Sequence, residues 1–158
     1  MTDAIRRGSI ALVPIDAATA ARILDGDLGA LDPGTGWPQA DTIEGIGLEL
    51  QLGGSPACWL IQLAGTVIGE LGWKGGPGQD GAAEVGYSIA PDYRGAGHGS
   101  AAVAAFVDWA CGEPRVRRLV AETRSDNIAS QRVLQKAGFA PDRSERGYIY
   151  WVRETAAS

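Results

Sequence analysis

A row of alternating glycines set between a strand and a helix limits this chain more than any other feature. The segment Glu84-Val-Gly-Tyr-Ser-Ile-Ala-Pro-Asp-Tyr-Arg94-Gly-Ala-Gly97-His-Gly99 opens as an apolar strand, stops at Pro91 and leads into the run 100–110. In that run Val103, Phe106, Val107 and Ala110 recur at i, i+3, i+4 and i+7, one apolar stripe along a helix. Glycine lets the main chain approach a ligand closely, and the unpaired N–H groups at a helix start, aided by the helix dipole, attract an anion. Arg94 adds charge-assisted donors for the same anion. A phosphate or pyrophosphate is therefore expected. Two common phosphate motifs fail: no lysine follows these glycines as a P-loop requires, and Gly-x-Gly-x-x-Gly counted from Gly95 reaches Ser100 instead of glycine.

The rest of the chain reads as one mixed α and β domain of 158 residues, expected over 9–153 with 1–8 and 154–158 frayed. Ile10–Val13 reads as a strand, and Asp16 caps a helix to about Leu24. A Gly- and Pro-rich loop over 26–38 carries Trp37, and a second helix, capped by Asp41, ends at Gly53-Gly54-Ser55-Pro56. The runs 58–63 and 66–71 flank Ala64-Gly65 as a hairpin, and 72–81 reads as a loop. Further strands are expected at 83–89, 119–123 and 148–152. The run 127–137 reads as a helix, with Asn127 as N-cap and Gly138-Phe139 as its C-terminal stop.

Composition removes several functions. The formal charge is −5 and the sequence pI about 4.8, which argues against nonspecific nucleic-acid binding. No apolar run approaches a membrane span and no signal peptide is visible, so a cytoplasmic location is expected. Two cysteines, Cys58 and Cys111, make neither a disulfide framework nor a zinc site, and both read as buried apolar residues. The single histidine, His98, lies inside the glycine row, which removes a three-histidine metal centre and most hydrolase triads. No metal site is expected.

Arg94-x-x-Gly97-x-Gly99 resembles the acyl-CoA pyrophosphate loop of the GNAT N-acetyltransferase superfamily. Downstream, Asn127-Ile-Ala-Ser130 followed by Val133-Leu134-Gln-Lys136-Ala-Gly138-Phe139 is similar to that family's second signature, in the same order and at the same spacing. The opening Glu-Val-Gly-Tyr resembles the branch that includes ribosomal-protein N-terminal acetyltransferases. The likeness covers about 9–153 and is strongest over 83–140.

The resemblance implies a GNAT fold: a central twisted mixed sheet, flanked by helices and splayed between the strands at 83–89 and 118–123 to admit acyl-CoA. It implies that Ile89 and Ala90 bond the pantetheine through their backbones. Gly95, Ala96, Gly97, His98, Gly99 and Ser100, with Arg94, would then hold the pyrophosphate. His98 belongs to this loop rather than to the catalytic pair. Asn127 is expected to cap its helix and to bond the pantetheine or a water. Lys136 is left between a CoA phosphate and a solvated helix face; Arg115, Arg117 and Arg118 are expected to form a solvated face, with a contact to the 3′-phosphate as the lesser option.

The expected reaction is direct attack of a primary amine on acetyl-CoA in a ternary complex, since no activated nucleophile for an acyl-enzyme is visible. The amine, with pKa near 10, needs a base. Glu84 is the candidate and Glu70 its rival. The departing thiolate needs a donor; residues 140–147 lack the tyrosine many relatives place there, so Ser130 is expected, with the late Tyr148 and Tyr150 as the alternative. Trp37, Trp73, Tyr150 and Trp151 lie in segments bordering the acceptor, which is a protein N-terminus or a small amine. A homodimer is left open. The alternative class is a GNAT-fold sensor that binds CoA without catalysis.

Overall fold

The computed structural model describes residues 3–52, 58–74 and 76–155. The chain begins with a hairpin, β1 (Ile5–Arg7) and β2 (Ile10–Pro14), paired antiparallel from Ile5↔Leu12 to Arg7↔Ile10. The frayed start expected over 1–8 therefore does not hold at 5–7; Gly8, at φ +60, makes the reversal between the two strands. Residues 1–2 lie outside the described residues.

Asp16 caps α1 (Ala17–Leu24) by accepting from the Thr19 amide at 2.8 Å. Helix α2 (Ala40–Leu52) follows the loop that carries Trp37; the expected break at Gly53–Pro56 falls outside the described residues. Strands β3 (Cys58–Leu63) and β4 (Thr66–Trp73) form the expected hairpin. Ala64 and Gly65 both take positive φ, the twist-matched geometry of a two-residue turn. β4 runs on through Gly72 and Trp73, where the glycine-rich sequence reads as a loop, because both pair with β5 (Ala82–Ile89) at Gly72↔Gly86 and Trp73↔Val85.

A single 3-10 turn (Pro91–Tyr93) and the glycine row join β5 to α3 (His98–Cys111). Then come β6 (Arg118–Arg124), α4 (Ile128–Lys136), β7 (Ala140–Glu145) and β8 (Tyr148–Glu154). All six residues of β7 are exposed and most are polar, so no apolar alternation marks it as a strand. It is an edge strand, and its charges and bulge suit an edge. At the other terminus Glu154 stays in β8 and Thr155 bonds to Val116 and Arg117, against the expected fraying; residues 156–158 lie outside the described residues.

Among the described residues, eight strands form one mixed sheet in the order β1-β2-β3-β4-β5-β6-β8-β7, with α1 and α2 against one face and α3 and α4 against the other. This is the expected mixed α and β architecture. The stripe on α3 (Val103, Phe106, Val107, Ala110) is wholly buried, and Trp59, Trp73, Phe106 and Trp109 pack beside it with centroids 5.2–5.7 Å apart. Cys58 is buried, but Cys111 is exposed: it stands one residue beyond Ala110 and so turns about 100° off the stripe.

Helix α4 ends as its sequence indicates. Gly138 sits at φ +90, Phe139 donates to the Leu134 carbonyl and Gly138 to that of Gln135, the paired bonds of a Schellman stop.

Of the neighbouring strands in this sheet, β5 and β6 are the pair that runs parallel, and they do so only through Ala82↔Arg118, Ala83↔Leu119 and Glu84↔Val120. Past Glu84 the two strands part, while β5 stays on β4 as far as Gly69↔Ile89. Gly69 permits that close fit, since a Cβ there would lie 2.1 Å from the Ser88 carbonyl oxygen.

Candidate active site

The parted strands open a cleft of about 620 Å³ between the end of β5, the start of α3 and one face of α4. Its floor is the glycine row. Gly95 and Gly97 take φ of +80 and +86, and the first bond of α3 runs from the Ala101 amide to the Gly97 carbonyl. Helix geometry thus aims the amides of His98, Gly99 and Ser100 out of the N-terminus. Gly99 has a packing reason as well: a Cβ there would come within 3.3 Å of the Tyr87 ring.

Arg94, Gly95, Gly97, His98, Gly99 and Ser100 line this cleft, as do Ile89 and Asn127. Ala96 is exposed on the same loop. Ala90 departs from its expected role. It is fully buried and its amide donates to the Ile68 carbonyl at 2.7 Å, so it backs the wall rather than facing the cleft. The Ile89 carbonyl is also engaged, accepting from Arg94 Nε at 2.8 Å. Across the cleft α4 presents Arg132 and Lys136 four residues apart on one face. Arg132 is an addition to the expected residues, and its helical spacing from Lys136 is the sequence signal that points to it.

Where the strands diverge, two hydroxyls meet. The Tyr87 phenol and Ser130 Oγ lie 3.3 Å apart, and burial pushes the phenol pKa up while the Ser130 contact partly offsets it. Asn127 Oδ1 accepts from the Ser130 amide at 3.1 Å, so its capping role is realised and it fixes the backbone that carries Ser130. Tyr87 belongs to the Glu-Val-Gly-Tyr run, where nothing in the sequence gives it a role. The residue borders the cleft, the gap between the strands and a second hollow, of about 270 Å³, on the opposite face of the sheet.

That second hollow holds Glu70. Its Oε1 accepts from Trp37 Nε1 at 3.0 Å and from Thr42 Oγ1 at 2.7 Å. Burial raises its pKa above the ordinary 4.5; the two hydrogen bonds oppose the rise, and Asp41 adds to it. Gly72, Gly86 and Ser88 supply the sheet side of the hollow. Gly86 is open, for a Cβ there would meet nothing within 4 Å. A strand glycine without a packing reason leaves room for a ligand to come close to the backbone.

Glu84 lies at the still-paired end of β5, its Oε2 2.6 Å from Lys74 Nζ, a bond that raises the lysine pKa. Among the aromatic candidates, Trp37 touches Glu70, whereas Trp73 and Trp151 are buried in the sheet core. Tyr150 lies under the Arg143 guanidinium, 4.3 Å from its ring centre, on the sheet face near Glu84. Arg115, Arg117 and Arg118 are exposed, as expected.

The chain matches, over residues 16–140, the family described as "Acetyltransferase (GNAT) domain". It is 27% identical over 127 residues to an uncharacterized N-acetyltransferase, YjdG, of Bacillus subtilis (strain 168), covering 75% of this chain and 76% of that one. Among solved structures it resembles RimL, a ribosomal L7/L12 alpha-N-protein acetyltransferase in complex with coenzyme A, at TM-score 0.70 and 20% identity over 96% of this chain and 98% of that one. RimJ of Mycobacterium smegmatis, in complex with CoA-disulfide, superposes at TM-score 0.65 and 21% identity, covering 96% and 86%. At such identities these two structures speak for the fold alone.

Proposed function

Since the chain belongs to the GNAT acetyltransferase family, we propose that it transfers an acetyl group from acetyl-CoA to a primary amine, with donor and acceptor bound together. The observation that carries this reading is the parting of β5 and β6 after Glu84↔Val120. It joins an anion-binding cleft on one face of the sheet to a carboxylate-bearing hollow on the other. The residues present suit acetyl-CoA: the start of α3 with its main-chain amides, Arg94, Arg132 and Lys136 all line the cleft, a donor set that fits a diphosphate and a phosphate.

In this reading the cofactor brings the reactive thioester, and the protein positions it and handles protons. An acceptor ammonium is drawn to Glu70 and Asp41. Glu70 takes its proton, directly or through one water, and leaves the neutral nucleophile. Glu70 is preferred to Glu84 on two grounds: it lies opposite Ser88, on the stretch of β5 that has left β6, and burial raises its pKa above the ordinary 4.5. Glu84 is already bonded to Lys74 and holds that side chain at the rim.

Ser130 supplies the hydrogen bond to the departing sulfur, with Tyr87 orienting its hydroxyl. A charge-assisted bond of this kind is worth more than a neutral one once water is excluded. The acceptor is a small amine or a protein N-terminus presented to a hollow of about 270 Å³.

The test is thiol release from acetyl-CoA against a panel of peptide N-termini, aminoglycosides and polyamines, with coenzyme A titrated by calorimetry in parallel. Release with at least one amine, intersecting initial-rate patterns and no acetyl label retained on the protein are the expected results. Affinity for CoA without release on any amine would mark a sensor instead. Absence of CoA affinity would remove the proposal.

A further inference from the structure

Arg94 is exposed and stands between a short 3-10 turn and the glycine row, conditions under which a long side chain ordinarily wanders. It is nonetheless held at two points, by the Ile89 carbonyl on Nε at 2.8 Å and by Gln39 Oε1 on Nη2 at 3.1 Å. The other end of the same carboxamide is also bound: Gln39 Nε2 donates to Ser88 Oγ at 2.9 Å and to the Ile89 carbonyl at 3.4 Å. These partners settle which way the amide faces, because a guanidinium requires an acceptor and a carbonyl requires a donor. Two of the five guanidinium N–H groups are so used, which fixes the plane of the other three.

Gln39 reaches the second hollow through its backbone. Its amide donates to Thr42 Oγ1 at 3.2 Å, and that hydroxyl donates to Glu70 Oε1 at 2.7 Å. One residue outside both sequence motifs therefore joins the arginine of the glycine row to the carboxylate on the opposite face of the sheet.

Resting on the acetyl-CoA reading above, we infer that Gln39 is a positioning residue for the donor site. It holds Arg94 ready for the diphosphate and ties that site to the wall that carries Glu70. Fixing Arg94 by a bound diphosphate steadies Gln39 and with it Thr42 and Glu70, and by linkage an acceptor on Glu70 tightens the donor.

The test compares coenzyme A with pantetheine, which lacks the diphosphate, as competitors of acetyl-CoA on the wild type, Gln39→Ala, Arg94→Ala and the double variant. Gln39→Ala is expected to weaken coenzyme A about tenfold, the worth of one hydrogen bond to a charged group. Pantetheine should be unchanged, and in the Arg94→Ala background the Gln39 effect should vanish. Gln39→Glu keeps an acceptor for Arg94 but loses the donor to the Ile89 carbonyl, so it should recover only part of the affinity. Gln39→Met, of similar length and without polar ends, should behave as Gln39→Ala does and serves if the latter does not fold.

Equal coenzyme A affinity in Gln39→Ala and wild type overturns the inference. So does an equal loss for coenzyme A and pantetheine, the mark of a merely structural role. A wild type without affinity for coenzyme A overturns the acetyl-CoA reading and this inference together, a result distinct from the other two.

Discussion

Replacing Glu70 by Gln separates its proton chemistry from its architecture. Gln has the same length and keeps an oxygen able to accept from Trp37 Nε1 and Thr42 Oγ1, the bonds of 3.0 and 2.7 Å that locate the carboxylate. Pocket shape and acceptor access should survive while basicity is lost. A positioned base contributes about 10²- to 10⁴-fold, or roughly 3–5 kcal/mol of barrier at about 1.4 kcal/mol per decade. The fall should appear in kcat, with KM for acetyl-CoA nearly unchanged.

Stability should move the other way. Because burial raises the Glu70 pKa above 4.5, the folded state prefers its neutral form. That preference is fully present below pH 4.5 and is lost as pH rises through the folded value. At neutral pH the ionised carboxylate weakens the fold, so Glu70→Gln should then match or exceed the parent in melting temperature. The margin should close on acidification.

Thiol-release kinetics across pH and thermal melts at acid and neutral pH measure both halves. A kcat within about threefold of the parent, or a variant that is less stable at neutral pH yet equal in acid, would refute the reasoning.

Ser130→Ala and Tyr87→Phe should each lower kcat while leaving acetyl-CoA KM almost constant, and their combination should cost little more than either alone, because the hydroxyls meet at 3.3 Å; additive losses in steady-state kinetics would separate the two roles. Gly69→Ala should destabilise by about 3 kcal/mol in denaturant titration, since its Cβ would lie 2.1 Å from backbone oxygen. Gly86→Val, at an open position on the neighbouring strand, should melt close to the parent yet raise acceptor KM more than donor KM. Asn127→Ala should lose about 1 kcal/mol with its helix cap, which Asn127→Ser should restore; coenzyme A affinity that stays low in the Ser variant assigns the carboxamide to the cofactor, and full recovery reduces Asn127 to a cap.

Features written in neighbouring residues are legible in the amino-acid sequence. The Asp16 and Asn127 caps, the Ala64-Gly65 turn, the Gly138-Phe139 stop and the glycine row each depend on a few consecutive positions and on backbone preferences that no distant contact overrides. The strands β1 and β7 are not legible in this way. One is three residues long and the other is exposed throughout, so neither shows the alternation that burial on one face imposes. Cys111 and Ala90 depart from expectation because their surroundings are set by helix phase and by β4, not by their own neighbours.

Local chemistry alone thus determined that this chain would build a glycine-lined turn ahead of a helix, and a second capped helix bearing Asn127 and Ser130. Which carboxylate lies level with the parted stretch of β5 was decided by register: Glu70 lies opposite Ser88, beyond the point where β5 leaves β6, whereas Glu84 lies on the paired side of it. Three-dimensional packing likewise brought Tyr87 to Ser130, 43 residues away, and Gln39 to Arg94, 55 residues away. Such meetings depend on how far a twisted sheet stays paired and on where a helix docks against it. Those are outcomes of the whole core, and no short stretch of residues encodes them.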